Sequence, residues 1–119
     1  MVLGDKLFIM KEESIENAKA QMRKGFLEFC ILLIISNGKM YASDILQKLT
    51  KANLIVVEGT LYPLLNRLKN QGLLEYEWEE SPTGPPRKYY SLTQNGTHAL
   101  NRLEEVWDDL RKSIITLKK

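Results

Sequence analysis

Cysteine, histidine and proline are all scarce in this sequence. Its 119 residues include one cysteine, one histidine and four prolines. A single thiol, Cys30, excludes an intramolecular disulfide and fits a reducing compartment. Lying inside an apolar run, it is expected to be buried and unreactive. The lone imidazole, His98, has no Cys, Asp or Glu grouped around it at ligand spacing, so it reads as a surface residue and not as part of a metal centre. There is no Gly-rich phosphate loop and no nucleophile motif, so no catalytic constellation can be assembled and neither enzyme activity nor a cofactor is expected.

Long hydrophobic runs are missing too. The densest, FLEFCILLII at residues 26–35, contains Glu28 and falls well short of the roughly 20 residues that span a bilayer. Near the N-terminus Gly4, Asp5 and Lys6 interrupt the start, and no apolar h-region with a small-residue cleavage site follows. The protein is expected to be soluble and cytoplasmic, with no membrane partner. Nor does one sign of charge dominate. With a formal net charge of +2, there is no large basic field, and any nucleic-acid binding has to come from local placement of cations.

What is present is the material of one small globular domain, with 44% hydrophobic residues and a size that allows a modest core. Residues 1–13 show no clear periodicity and read as a leader, with Met10 as an alternative start. Ser14 is a candidate cap for a helix running to about residue 36. Residues 26–35 are apolar nearly all round, as in a central core helix, with a β-strand as the second reading. Asn37-Gly38 is a stop signal. A short helix is expected at about residues 42–51, with Ala42, Ile45, Leu46 and Leu49 on one side. In LLEYEWEE, at residues 73–80, Leu74, Tyr76 and Trp78 alternate with Glu75, Glu77 and Glu79, the pattern of a half-buried strand whose acids point away from the core. SPTGPP, at residues 81–86, reads as a loop with too much proline for a ladder, and residues 87–92 as a second strand, together a hairpin. Of Tyr89 and Tyr90, on opposite strand faces, one should be core. Thr93 is a candidate N-cap for a last helix ending near Leu117. Leu100, Leu103, Trp107, Leu110, Ile114 and Leu117 on that helix make a heptad seam, widened by Val106 and Ile115, that calls for a partner chain. The chain thus divides into a leader at 1–13, a domain at 14–92 and a dimerisation helix at 93–119.

The stretch EGTLYPLLNRLKNQG, residues 58–72, carries the functional signal. Leu61, Leu64, Leu65 and Leu68 form the buried stripe of a helix. The opposite side carries Gly59, Pro63, Asn66 and Asn70, flanked by Tyr62 on one edge and by Arg67 and Thr60 on the other. No acid occurs between Gly59 and Gln71, where a solvated face usually mixes Glu and Lys. A small opening turn lets the N–H groups of a helix N-terminus approach an anion. Asn and Arg are bidentate readers of base edges. A short core helix with an idle outer face is the competing reading.

The order helix, helix, helix, hairpin, helix is that of a winged helix-turn-helix domain with a C-terminal extension, mainly α with a small β-hairpin wing. The segments EGTLYPLLNRLKNQGLL, the tryptophan of YEW and GPPRKYYSLTQNG resemble the PadR family of bacterial transcriptional regulators over about residues 24–117. The single C-terminal helix is similar to the compact branch of that family. The resemblance implies a homodimeric repressor that binds a palindromic double-stranded DNA operator and is released by a ligand or signal. It implies that Thr60, Tyr62, Pro63 and Arg67 belong to the DNA-reading helix, that Tyr41 and Ser43 lie near phosphates, and that Arg87 and Lys88 belong to the wing. The leader has no counterpart in the resemblance.

Three points stay open beside this reading. Arg67 is either a DNA contact or a surface residue in a salt bridge. Trp107 is either an aromatic knob in the dimer seam or the lining of an intersubunit cavity for a small hydrophobic or aromatic effector, a layout that some compact PadR proteins share. The competing function is a winged-helix interaction module without specific DNA binding, favoured by the small net charge and the wing acids Glu75, Glu77, Glu79 and Glu80.

Overall fold

The computed structural model describes the backbone from Val2 to the C-terminus and side chains from Lys11 onward. Seven elements follow in order: α1 (Val2–Ile35), β1 (Met40–Tyr41), α2 (Ala42–Lys51), α3 (Glu58–Asn70), β2 (Leu74–Ser81), β3 (Gly84–Leu92) and α4 (Gln94–Leu117). The chain is mostly helical with a three-stranded antiparallel sheet in the order β1-β3-β2, the winged helix arrangement.

Helix α1 is continuous from Val2, so Ser14 lies within it and caps nothing. The side chains of residues 1–10, which make up most of the expected leader, lie outside the described residues. The apolar run is the core segment of α1 and is not a strand: Leu27, Cys30, Ile31, Leu32 and Ile35 are buried, while residues 11–25 are exposed. Burial pushes the Cys30 thiol up from its ordinary pKa, which keeps it protonated. The α1 end is closed by backbone bonds from Asn37 N to Ile34 O and from Gly38 N to Ile35 O. Gly38 has φ +144° and Gly72, after α3, has φ +78°; both turns need a residue without a Cβ.

Helix α2 buries Ala42, Ile45 and Leu49, and α3 buries Leu61, Leu65 and Leu68. These stripes meet the α1 core segment, Leu74 and Tyr90 of the sheet, and Leu100 of α4 in one hydrophobic core. Strand β1, absent from the sequence expectation, is only two residues long and pairs Met40 with Tyr90 and Tyr41 with Tyr89. It turns the hairpin into a sheet and ties the entry to α2 to the wing.

The expected proline-rich loop is shorter than anticipated. Pro85 and Pro86 lie inside β3, and only Pro82 and Thr83 form the turn between Ser81 and Gly84. The reason is positional. Strand β1 reaches only Tyr89 and Tyr90, so at residues 84–86 the ladder has a partner on one side only, and a missing N–H is tolerated at such an edge. A register shift between Glu79 and Ser81 takes up the irregularity.

Thr93 caps α4 as expected. Its hydroxyl accepts from Gly96 N (2.9 Å) and donates to the Gly72 carbonyl (2.6 Å), and its own N–H donates to Leu73 O (3.1 Å). A Cβ on Gly96 would collide with the Leu73 carbonyl, so the first turn of α4 is pressed directly onto the turn that ends α3.

Candidate nucleic-acid interface

Helix α3 begins after Val57, which provides no side-chain cap. The opening turn therefore offers backbone donors that no N-cap side chain takes up, with Glu58 as the one acid in that turn. Gly59 has nothing within 4 Å of an added Cβ, so nothing inside the protomer requires glycine there. Pro63 lies within the helix; it has no N–H for the Gly59 carbonyl one turn back, and its ring crowds that carbonyl. The outward face of α3 is exposed at Gly59, Thr60, Tyr62, Pro63, Asn66, Arg67 and Asn70.

The two edges of that face have different neighbours. On the α1 side, Arg67 Nη1 sits 3.2 Å from Glu28 Oε1, the ion pair that the sequence left as one of its two readings. Thr60 lines a groove of about 310 Å³ with Arg23 and Lys24 of α1 and the connecting residues Leu54, Ile55 and Val56. On the wing side, Tyr62 lines a cleft of about 320 Å³ with Tyr41 and Ser43 at the start of α2 and with Trp78, Arg87 and Lys88 of the wing. Five expected contact residues (Tyr41, Ser43, Tyr62, Arg87 and Lys88) are thus brought to one place. Thr60, Pro63, Asn66, Arg67 and Asn70 are on α3 but do not line this cleft.

The cations of the wing are held by aromatic faces. The Arg87 guanidinium lies 4.0 Å from the Tyr41 ring centroid, and Tyr41 packs on Tyr89 at 4.8 Å. The Lys88 ammonium lies 4.5 Å from the Tyr76 centroid and 5.6 Å from that of Trp78. Such contacts orient a cation without neutralising it. At the start of α2, Tyr41 N–H donates to Asp44 Oδ2 at 3.1 Å. Tyr90 is the buried member of the tyrosine pair; burial first, then the neighbouring Tyr62 and Tyr76, raise its pKa, so its hydroxyl remains a neutral donor.

Glu75, Glu77 and Glu79 occupy the opposite sheet face from Leu74, Tyr76 and Trp78 and are exposed. Lys39 Nζ bonds Glu77 Oε1 at 2.7 Å. That hydrogen bond and the charge of Lys39 lower the Glu77 pKa, and Glu77 raises that of Lys39. Among the described residues, no acid lines the cleft.

Trp78 also lines the cleft and was not among the expected contact residues. Alternation assigned it to the core-facing side, and it is indeed on that side, yet it is 62% exposed. The sheet runs past the helical layer, so the period identifies the face but not where the cover ends.

The expected dimer seam divides. Leu100 is 4% exposed and belongs to the protomer's own core, and Leu103 is half-buried against it. Trp107, Leu110, Ile114 and Leu117 are exposed. Trp107 packs on Phe26 of α1 (centroids 5.6 Å apart), and the two line an open apolar groove of about 660 Å³ with Phe29, Met22, Leu103 and Leu110.

The model of the transcriptional regulator PadR-like family matches residues 31–102, from the core segment of α1 to the first turns of α4. The chain belongs to the PadR-like family of transcriptional regulators. These proteins are DNA-binding regulators, not enzymes. The fold is similar to that of a PadR-like transcription factor from Bacteroides fragilis, with 58% identity, 85% of this chain and 98% of that chain covered, and a TM-score of 0.75. It is also similar to a PadR family transcriptional regulator from Eggerthella lenta, with 28% identity, 93% and 97% coverage and a TM-score of 0.83. A third, a PadR-like transcriptional regulator from Bacillus cereus, is 38% identical over 83% of this chain and 97% of its own, with a TM-score of 0.74. In this PadR-like chain no described helix is long and apolar enough to cross a membrane.

Proposed function

We propose that the chain is a cytoplasmic homodimeric repressor that binds a palindromic operator and is released by a small hydrophobic or aromatic ligand. The observation that carries this reading is the cleft in which Tyr62, at the edge of the outward face of α3, meets the start of α2 and the wing cations Arg87 and Lys88. Helix α3 enters a major groove, its opening turn and the α2 start meet phosphates, and Asn66, Arg67 and Asn70 face base edges. Two copies place half-site centres about 10 bp apart, one helical turn. The absence of an acid among the residues lining the cleft supports DNA over a protein partner.

The uncovered face of α4 supports dimerisation: Trp107, Leu110, Ile114 and Leu117 are too exposed in the protomer to be its own core. The same groove supports an effector. A flat apolar molecule seated in the groove against Phe26 and Trp107 changes how the two copies meet, and with it the distance between their α3 helices.

The test is a gel shift with the DNA upstream of the protein's own gene. Sub-micromolar binding that survives competitor DNA and weakens with salt is expected, because phosphate contacts release counterions. Weak, sequence-blind binding refutes the proposal.

A further inference from the structure

Trp78 is one of two tryptophans in the chain and the large wing side chain that packing leaves unexplained. An indole on the core-facing side of a sheet is ordinarily covered. Here it is 62% exposed, and its surroundings are built. Tyr76 meets it edge-on at 5.8 Å, and Lys88, directly across in the ladder, holds its ammonium 5.6 Å from the ring. Trp78 shares its cleft with Tyr62 of α3 and with Arg87, so the exposed ring is continuous with the face of α3 that carries the functional reading above.

The composition of this wall selects its occupant. It has an apolar plate with Lys88 at its side and, among the described residues lining the cleft, no acid; Arg87, across the ladder from Glu79, reaches the cleft from the other sheet face. A buried peptide partner would leave Lys88 and Arg87 to be neutralised by acids of its own. A nucleic-acid strand offers both halves at once, with an apolar deoxyribose face between two phosphates. We propose that Trp78 is a DNA-contacting residue whose ring seats against a deoxyribose of the strand bordering the groove that α3 enters, with Lys88 on an adjoining phosphate. This rests on the reading of α3 as the DNA-reading helix. It adds an apolar contact, independent of salt, beside the charge and amide groups of the interface.

The experiment uses full-length protein carrying Trp107→Phe, which leaves Trp78 as the sole tryptophan, and a fluorescein-labelled duplex recovered by selection with the purified protein. Anisotropy of the label reports DNA binding, and acrylamide quenching of the tryptophan reports cover over Trp78. Full-length wild-type protein labelled with 5-fluorotryptophan, read by fluorine NMR, repeats the measurement without the Phe substitution. The expected result is a Trp78 open to acrylamide in the free protein and protected several-fold at DNA saturation. Trp78→Ala should weaken operator binding about tenfold with the salt slope unchanged, whereas Lys88→Ala should reduce that slope by about one. A duplex that binds fully while Trp78 stays equally open to quencher overturns the proposal and leaves the regulator reading intact. A ring already protected in the free protein also overturns it, because a second copy then covers it. Failure of the label to report binding to any duplex removes both readings.

Discussion

Gly59→Ala separates what α3 needs for folding from what it needs for binding. In the folded protomer the added methyl meets nothing within 4 Å, and Gly59 is not among the glycines with positive φ. A helical glycine costs roughly 0.5–1 kcal/mol relative to alanine. The substitution should therefore stabilise the fold by about that amount. With an unfolding entropy of about 2.1 cal/mol/K per residue, this is an increase in Tm of about 2–4 °C. In the proposed complex the same methyl would stand where a phosphate approaches the opening turn. Losing one amide bond to a charged group costs about 1.5–3 kcal/mol, which is about tenfold to a hundredfold in Kd. Thermal unfolding by circular dichroism and anisotropy with labelled operator measure the two effects on one preparation. A variant that is more stable and binds operator equally well would refute the close approach at residue 59. One that loses stability would refute the steric account of the free protomer.

Four further outcomes follow from the geometry. Gly96→Ala forces a methyl into the Leu73 carbonyl and should cost roughly 3 kcal/mol or more in urea unfolding; a neutral result would contradict the pressed contact. Leu110→Glu should give a folded monomer by sedimentation with no operator binding, whereas Leu100→Glu should unfold the chain, because only Leu100 is in the protomer's own core. Arg67→Ala should weaken operator binding by about 1–3 kcal/mol, while Glu28→Gln, which releases the guanidinium from its partner, should not weaken it; the opposite ranking would make Arg67 a structural residue. The coupling between Lys39 and Glu77, read from a double-mutant cycle, should be present at neutral pH. It fades as acid protonates Glu77, whose pKa is lowered from 4.5, and again as base deprotonates Lys39, whose pKa is raised from 10.5. A coupling that persists at pH 2 would show that charge does not hold the pair.

Local signals located most elements. Thr93 was legible as a cap because a hydroxyl before a periodic run satisfies an otherwise unpaired N–H, and Asn37-Gly38 as a stop because few residues accept the φ of Gly38. The α2 and α3 stripes were legible because a short helix has one way to bury its leucines. What was not legible depends on distant partners. Strand β1 exists only because Tyr89 and Tyr90 offer an open ladder edge to two residues with no strand pattern of their own. The prolines of β3 are tolerated because that edge ends where they begin. Leu100 reads like its heptad neighbours, and only the position of α1 decides that it faces inward. Of the contact residues that the family resemblance implied, Tyr41, Ser43, Tyr62, Arg87 and Lys88 line one cleft. Nothing in the sequence indicated that Trp78 joins them, because its exposure depends on where the helical layer stops.

The junction at Thr93 has a consequence for length measurement along DNA. One threonine joins the exit of α3, the root of the wing and the start of α4, through bonds to Gly72, Leu73 and Gly96. In a dimer joined through α4, the span between the two reading heads is then set at a joint with almost no play, reinforced by the absence of room for even a methyl at Gly96. On the proposed dimer, such a molecule would act as a rigid caliper. It would reject operators whose halves are one base pair too close or too far, and a change that loosens the joint would widen the tolerated spacings before it lowers the best affinity.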